Sequence, residues 1–502
     1  MLRVLEASAA QAAPPRLLWR TQALDPALLP GGPTAPDLLA LLAGRNDVVS
    51  WVREGRGLVG IGRVLELRAH GPQRIEALRT AWRATVYHSW WSDPLVRPGT
   101  GPVALGAVAF SPSSAANSVL VVPELLLGLD EQGAWITQAM LAAGDSETLP
   151  EGSAPEVSAP ELLRRFVADA EWAPLAAADP VVGGALGSMS PGASATPGPT
   201  AGATAPAAAC LPAPVGAGLQ PGAQGDADWM AAVEQARRAL QRGDLEKVVL
   251  ARDLTVVPTQ AGHTGDLLRR LGADYPSCWT FAVDGMVGAS PELLVRLRQR
   301  RLSSRVLAGT ARRHASTPGQ REAEAQRLAR WLEESAKNNR EHALARASAL
   351  AALRPLCSVV ECPERFVLTL PNVLHLASDV TGVVAGDTGA LSLVGALHPT
   401  AAVCGTPRRT AAALIEELEH MDRGRYAGPV GWVDWHGEGE WCIALRSAQL
   451  AGDGSGGLSP DLPLRAFGGG GIMPDSDPAD ELAETKAKMR PVLDALGAQE
   501  SP

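Results

Sequence analysis

Two glutamates and a lysine near the C-terminus have the spacing of a single helical face. Glu481 and Glu484 are three residues apart, and Lys488 follows four residues after Glu484. Side chains at these spacings are neighbours on a helix. Charged helical faces are usually solvated, so helix geometry alone favours a surface stripe of ion pairs. The preceding glycine run, 468–471, indicates a second use, because consecutive glycines let backbone N–H groups approach an anion closely.

A third acidic residue and an arginine extend this set of candidates. Glu341 lies in the segment KNNREH, within a long predicted helix. Two distant glutamates can supply oxygen ligands to Mg²⁺, which prefers carboxylates, waters and ligand oxygens, although a surface helix explains Glu341 equally well. Arg446 lies in the apolar run CIALRSA, where it needs a partner, and a carboxylate is the best one.

The elements that must position these residues are helices and strands in alternation. The run KVVLARDLTVV from Lys247 alternates in the way of a strand. We predict a helix from about Asp228 that Gly243 stops, one long helix over 318–353, and a single strand over 441–449. A helix after Pro407 is predicted to have Thr406 as its N-cap. The last helix is predicted to have Asp477 as N-cap and Pro478 at its first position.

Composition divides the chain into three parts and excludes several classes of protein. The chain has 502 residues and a formal net charge of −9, so it has no electrostatic footprint for nucleic acid or an anionic membrane. No run of about 18 apolar residues occurs, so we expect a cytoplasmic protein. We also expect a monomer or a homodimer. Residues 180–225 contain no charged side chain, which indicates a linker or insertion. It would separate an N-terminal region, 1–179, from a catalytic region, 226–498.

Nine motifs, taken in order, resemble those of the chorismate-utilising enzymes, and most closely the isochorismate synthases. They are KVVLAR, SPELLVR, LAGTARR, KNNREH, HLASDVTG, LHPTAAVCGTPR, GRYAGPVGWVD, EWCIALRSA and GGGGI followed by SDPADELAETKAK. The resemblance covers about 226–496 and extends more loosely into the N-terminal region. It implies an α/β (α+β) fold in which two packed antiparallel sheets, flanked by helices, hold chorismate beside Mg²⁺.

The resemblance also implies a role for each matching residue. Lys247 matches the general base, and Glu292 matches the general acid that protonates the departing C4 hydroxyl. Glu341 and Glu484 match the metal ligands, with Glu481 as an auxiliary carboxylate. The positions that match substrate contacts are Gly309, Thr310, His375, Ala402, Tyr426, Arg446, Gly469, Gly471 and Lys488.

Three positions distinguish activities within the family. Enzymes that add ammonia resemble this pattern with a glutamine in place of Lys247, and aminodeoxychorismate synthases have a nucleophilic lysine in place of Ala308. Salicylate and anthranilate synthases typically have a threonine in place of Ala402, so the alanine favours an enzyme that stops at isochorismate. We therefore predict an isochorismate synthase, which would serve menaquinone or siderophore biosynthesis. The alternatives are a salicylate synthase that eliminates pyruvate and a non-catalytic chorismate-binding protein.

Overall fold

The computed structural model describes residues 2–7, 14–32, 34–142, 157–167, 211–312, 318–369 and 373–498. The helices of this described part are Arg74–Tyr87, Ala159–Phe166, Asp226–Arg242, Thr264–Asp274, Pro318–Glu334, Ala336–Leu353, Ala390–Leu397, Arg408–Glu419 and Pro478–Leu496. Short 3₁₀ turns occur at Pro26–Leu28, Leu38–Leu42 and Arg354–Leu356. None of the described helices is long and apolar enough to cross a membrane.

Within the described residues, the strands form two large sheets. The first sheet has 11 strands, in the spatial order Arg3–Glu6, Leu65–Ala69, Ser118–Val122, Val103–Ala107, Pro429–Asp434, Gly439–Ile443, Leu293–Arg298, Arg301–Arg312, Val373–Val384 and Cys357–Glu361, with Phe366–Thr369 beside Val373–Val384. The second has 13, in the order Ala217–Pro221, Lys247–Pro258, Leu464–Ile472, Ser447–Gln449, Met286–Ser290, Trp279–Val283, Val48–Arg53, Arg56–Ile61, Leu125–Asp130, Gly133–Leu141, Leu17–Leu24 and Trp90–Ser92, with Gly405–Thr406 beside Lys247–Pro258. Strands from both ends of the chain therefore lie in both sheets.

The largest hydrophobic core lies between the two sheets. It joins Trp441 and Leu120 of the first sheet to Trp51 and Phe281 of the second. A second cluster covers the other face of the second sheet, where helices Thr264–Asp274 and Pro478–Leu496 bury their apolar sides. Burial of this apolar surface is the main stabilising contribution to such a fold. The predicted architecture of two packed sheets with flanking helices is confirmed.

The resemblance implied antiparallel sheets, but two strand pairs are parallel. Arg3–Glu6 pairs with Leu65–Ala69 in parallel, and Leu17–Leu24 pairs with Trp90–Ser92 in parallel. Both pairs lie at sheet edges. The strand Ala217–Pro221 also lies inside the predicted linker, because it pairs with Lys247–Pro258 at the edge of the second sheet. The rest of that segment up to residue 210 lies outside the described residues.

Three predicted elements differ in their boundaries. The single helix predicted over 318–353 is two helices, because Ser335 caps the second one by accepting a hydrogen bond from the Asn338 N–H through its side chain. The N-cap of the helix Arg408–Glu419 is Pro407, not Thr406, since Thr406 pairs with Lys247 in the strand Lys247–Pro258. The strand predicted over 441–449 is interrupted, as the site below explains.

Other predicted ends agree with the structure. The side chain of Asp477 accepts hydrogen bonds from two backbone N–H groups of the last helix, which begins at Pro478. This geometry is that of an N-cap followed by proline at the first helical position. The helix that was predicted from about Asp228 begins at Asp226 and ends at Gly243, whose φ of 82° is the left-handed conformation of a C-terminal cap.

Candidate active site

Lys247 lies at the start of the strand Lys247–Pro258, next to the edge of the second sheet, and faces a helix from another part of the chain. Its Nζ donates to Glu341 Oε1 at 2.6 Å, and both side chains are about five-sixths buried, with exposed fractions of 15% and 16%. They border a cleft of about 480 Å³ together with Ala308 and Ala402. The predicted base and one predicted metal ligand are therefore in direct contact.

The neighbouring glycine strand leaves room for this lysine. Strands Lys247–Pro258 and Leu464–Ile472 pair antiparallel, with Val249 opposite Gly471. A Cβ atom at Gly471 would lie 2.9 Å from Lys247 Cε, which is closer than real contacts allow. A side chain at 471 would therefore force the end of the lysine side chain to shift.

The last helix brings its charged face to the same glycine strand. A Cβ atom at Gly470 would lie 2.7 Å from Glu481 Oε2 and 4.0 Å from Glu484 Oε1, so both carboxylates converge over this glycine. Lys488 Nζ donates to Gly469 O at 2.7 Å and forms an ion pair with Glu484 Oε1 at 2.7 Å. Burial lowers the pKa of Lys488, while Glu484 opposes that effect. The stripe is therefore partly buried against the glycine strand, with the side chains of Glu484 and Lys488 28% and 30% exposed.

Glu292 follows a strand that ends at Ser290, and its backbone is fixed on both sides. Its N–H donates to Ser290 Oγ at 3.3 Å, and its carbonyl accepts from the Ile443 N–H at 3.0 Å. The carboxyl group forms no hydrogen bond or ion pair with any residue that the structure describes. Burial raises the pKa of Glu292 to about 7, against the opposing effect of nearby Lys247, Lys488 and Arg446.

Arg446 breaks the strand that was predicted over 441–449. Its φ of 49° lies in the left-handed region, and the chain forms strands Gly439–Ile443 and Ser447–Gln449 on either side. A non-glycine residue in this conformation costs free energy and is common at functional sites. The guanidinium has no hydrogen bond or ion pair within the described ranges, and burial lowers its pKa. The arrangement suits a carboxylate ligand.

Tyr426 supplies a neutral hydroxyl close to Arg446. Its ring stacks on Phe467 with centroids 4.9 Å apart and planes at 10°. Burial raises the pKa of Tyr426 to about 12, while the positive charges of Arg423 and Arg446 oppose the change. The hydroxyl therefore keeps its proton at neutral pH and can donate a hydrogen bond.

A β-bulge forms the opposite wall of the site. The pairing of strands Arg301–Arg312 and Val373–Val384 shifts between Ala308 and Thr310, and Gly309 at the bulge has a φ of 79°. His375 lies opposite Thr310, whose side chain is outside the description. Burial, with the charges of Lys488 and Arg446, lowers the pKa of His375 to about 4, so its imidazole is neutral at pH 7.

The predicted site residues thus come together from both sheets. Ala402 borders the cleft of Lys247 and also a smaller pocket that Glu292 lines. Within the described ranges, no three acidic, histidine or cysteine side chains cluster closely enough to hold a metal by themselves. The donor set still fits Mg²⁺, since that ion keeps several waters and takes only one or two protein carboxylates.

The sequence analysis missed a buried ion pair beneath the site. Glu419 and Arg423 are each 3% exposed, and Arg423 Nη1 donates to Val403 O at 2.9 Å. Arg423 Nη2 donates to Val249 O at 2.7 Å, while Glu419 Oε1 accepts from the Ala251 N–H at 2.7 Å. The pair therefore ties the strand of Lys247 to the loop of Ala402. The sequence feature that could have predicted this ion pair is the spacing of four between the glutamate and the arginine, at the end of an amphipathic helix.

The chain resembles known proteins in both sequence and fold. A family model described as "Chorismate binding enzyme" matches residues 218–497. Isochorismate synthase DhbC of Bacillus subtilis is 38% identical over 283 residues, which are 54% of this chain and 68% of that protein. The putative isochorismate synthase MenF of Mycobacterium tuberculosis H37Rv is 40% identical over 289 residues, covering 55% of this chain and 74% of that protein. The solved structure of MenF, the menaquinone-specific isochorismate synthase from Escherichia coli, has a TM-score of 0.65 and 22% identity, covering 97% of this chain and 96% of that one.

Proposed function

This chain belongs to the family of chorismate-binding enzymes, and we propose from that premise that it is an isochorismate synthase. Such an enzyme moves a hydroxyl from C4 to C2 of chorismate by adding water at C2 and releasing the C4 hydroxyl. The main support for this reaction is the arrangement of Lys247 and Glu292. A lysine base and a carboxyl group with a pKa of about 7 lie around one site, without bonding to each other.

Substrate binding rests on the cationic side chains. Chorismate carries two carboxylates, and Arg446 presents a guanidinium whose donors are not used elsewhere in the described chain. Two parallel hydrogen bonds from arginine fix both the position and the plane of a carboxylate. The neutral hydroxyl of Tyr426 provides a further donor beside it. Fixing the substrate in this way makes attack by a bound water effectively unimolecular.

Proton transfer is divided between the two ends of the site. Lys247 removes a proton from the water that attacks C2, which requires a neutral amine, so its ion pair with Glu341 must open first. Glu292 gives its proton to the oxygen that leaves C4. A raised pKa keeps a substantial fraction of Glu292 protonated near neutrality, as a general acid requires.

Mg²⁺ is the proposed cofactor. Glu341 and Glu484 would hold it, with Glu481 as the auxiliary carboxylate that Ser476 Oγ orients from 2.7 Å. When bound, the ion would neutralise a substrate carboxylate and orient it. Lys247 and Lys488 now bond to these two glutamates, so both ammonium groups must rearrange when a divalent cation binds.

Ala402 supports an enzyme that stops at isochorismate. Its methyl group borders both the cleft of Lys247 and the pocket of Glu292, so a larger polar side chain there would reach the reacting centre. The comparisons favour neither a salicylate synthase with pyruvate elimination nor a non-catalytic binding protein.

The test is to incubate the purified protein with chorismate and Mg²⁺, with and without EDTA, and to separate the products while assaying pyruvate. We expect isochorismate, only with metal and without pyruvate. Formation of salicylate with pyruvate would overturn the argument from Ala402 but would leave the assignment of the other site residues unchanged. Chorismate that stabilises the protein against heat without being consumed would identify a binding protein instead.

A further inference from the structure

A small pocket lies beside the candidate general acid. It has a volume of about 40 Å³ and is bordered by Glu292, Thr400, Ala402 and Arg408, and we call it the acid pocket. A water needs about 10–15 Å³ of such space, so there is room for roughly three waters. Exposed Ser348 also borders the pocket, which gives it access to solvent.

Two residues that border the acid pocket have a polar side-chain group with unused hydrogen-bonding capacity. Thr400 Oγ1 is buried and has no hydrogen-bond partner in the part of the chain that the structure describes. The Glu292 carboxyl group likewise makes no hydrogen bond there. Ser304, by contrast, already donates to Leu294 O at 2.6 Å and is satisfied. A buried hydroxyl without a partner costs free energy, and an ordered water that bridges polar groups is the usual solution.

We propose that the acid pocket holds ordered water between Thr400 Oγ1 and the Glu292 carboxyl group, and that Thr400 is a positioning residue for the general acid. The inference rests on the proposed function. The Thr400 hydroxyl donates to the water, and the water donates to one carboxyl oxygen of Glu292. The other carboxyl oxygen then carries the proton that faces the substrate.

The same water completes the proton balance of a turnover. Attack at C2 leaves one extra proton on Lys247, and departure of the C4 oxygen as water leaves Glu292 without its proton. Lys247 returns its proton to solvent through the open cleft. Glu292 takes one from solvent through the acid pocket, so the enzyme is restored and no net proton is consumed.

The test compares Thr400→Val, which keeps the shape and removes the hydroxyl, with Thr400→Ser, which keeps the hydroxyl. Thr410→Val is the matched control, since Thr410 is exposed on the neighbouring helix Arg408–Glu419 and does not line the acid pocket. We expect Thr400→Val to lower kcat about tenfold with an unchanged KM for chorismate, as one orienting hydrogen bond is worth about that factor. Thr400→Ser and Thr410→Val should keep kcat within about twofold.

Crystal structures of the wild-type protein and the Thr400→Val variant provide a readout independent of turnover. We expect a water within hydrogen-bond distance of Thr400 Oγ1 and Glu292 in the wild type, and its loss or displacement in the variant. A dry pocket in the wild type, or a kcat of Thr400→Val equal to that of wild type, would overturn the proposal. A loss of kcat that Thr400→Ser fails to restore would also contradict it. A wild-type protein that converts no chorismate contradicts the proposed function itself, whereas an active wild type with an equally active Thr400→Val contradicts only the role of Thr400.

Discussion

Replacing Glu292 by glutamine separates the chemical role of this carboxyl group from its effect on stability. Glutamine has nearly the same shape, and no hydrogen bond of the carboxyl group to a described residue is lost. General acid catalysis contributes about 10²–10⁴-fold to a rate, so kcat for chorismate should fall by that factor. In the wild type, kcat/KM should fall as the pH rises through about 7, because the protonated acid is the active form.

The same substitution, Glu292→Gln, should lower kcat but raise the free energy of unfolding relative to wild type as the pH increases. Burial raises the pKa of Glu292 from about 4.5 to about 7, so the folded protein holds a proton that the unfolded chain has released between these pH values. Its contribution to the free energy of unfolding is complete below about pH 4.5 and is lost as the pH rises through 7. At pH 8 that loss is at most about 3 kcal/mol, which Glu292→Gln avoids. The variant should therefore gain stability relative to wild type between pH 5 and pH 8.

The assays are steady-state kinetics from pH 6 to 9 and urea unfolding at pH 5 and 8. Glu361→Gln is the control, because Glu361 is exposed on the strand Cys357–Glu361 and borders neither the cleft of Lys247 nor the acid pocket. A folded Glu292→Gln protein with turnover within tenfold of wild type would refute the general-acid role. Parallel stability curves for the two proteins over this pH range would refute the raised pKa.

Three further substitutions test the other parts of the site. Lys247→Ala removes the proposed base and the partner of Glu341, so kcat should fall 10²–10⁴-fold while circular dichroism and the thermal midpoint show a folded protein; retained turnover would exclude the role. Arg446→Met removes a charged hydrogen-bond donor worth about 1.5–3 kcal/mol, so KM for chorismate should rise roughly 10- to 150-fold, and an unchanged KM would show that Arg446 does not bind the substrate. Ala402→Thr should add pyruvate release in a lactate dehydrogenase-coupled assay, and a product profile identical to the parent's would remove the reason for rejecting a salicylate synthase.

The sequence predicts those parts of the fold that follow from local chemistry. The cap of the last helix by Asp477 and the end of an earlier helix at Gly243 depend on a few neighbouring residues, and both are confirmed. The helix break at Ser335 was missed because serine is tolerated inside helices, and its capping role depends on how the two halves pack. Thr406 has the residue type of an N-cap, but pairing with Lys247 commits its backbone to a strand.

The sequence predicts only part of the candidate site, because the rest depends on how distant segments pack together. Types and spacing identify Glu481, Glu484 and Lys488 as one helical face, but they favour solvent over a site. The structure shows that this face is partly covered by the glycine strand, since a Cβ atom at Gly470 would lie 2.7 Å from Glu481 Oε2. The left-handed conformation of Arg446 is a tertiary feature that periodicity does not report. The raised pKa of Glu292, in contrast, is what the general-acid role implied by the resemblance leads one to expect.

The separation of Lys247 from Glu292 is itself a requirement of the proposed chemistry. A carboxylic acid with a pKa of about 7 that touched a neutral lysine, whose ordinary pKa is about 10.4, would transfer its proton and leave an ion pair in which neither group can act. The structure instead places Lys247 in the larger cleft, bonded to Glu341, and Glu292 beside the acid pocket. Ala402 borders both spaces, so the substrate would lie between the two groups and their protons would be exchanged through its reacting atoms or through solvent. Glu292 can then keep its proton until the C4 oxygen leaves, and Lys247 becomes the neutral base once its ion pair with Glu341 opens.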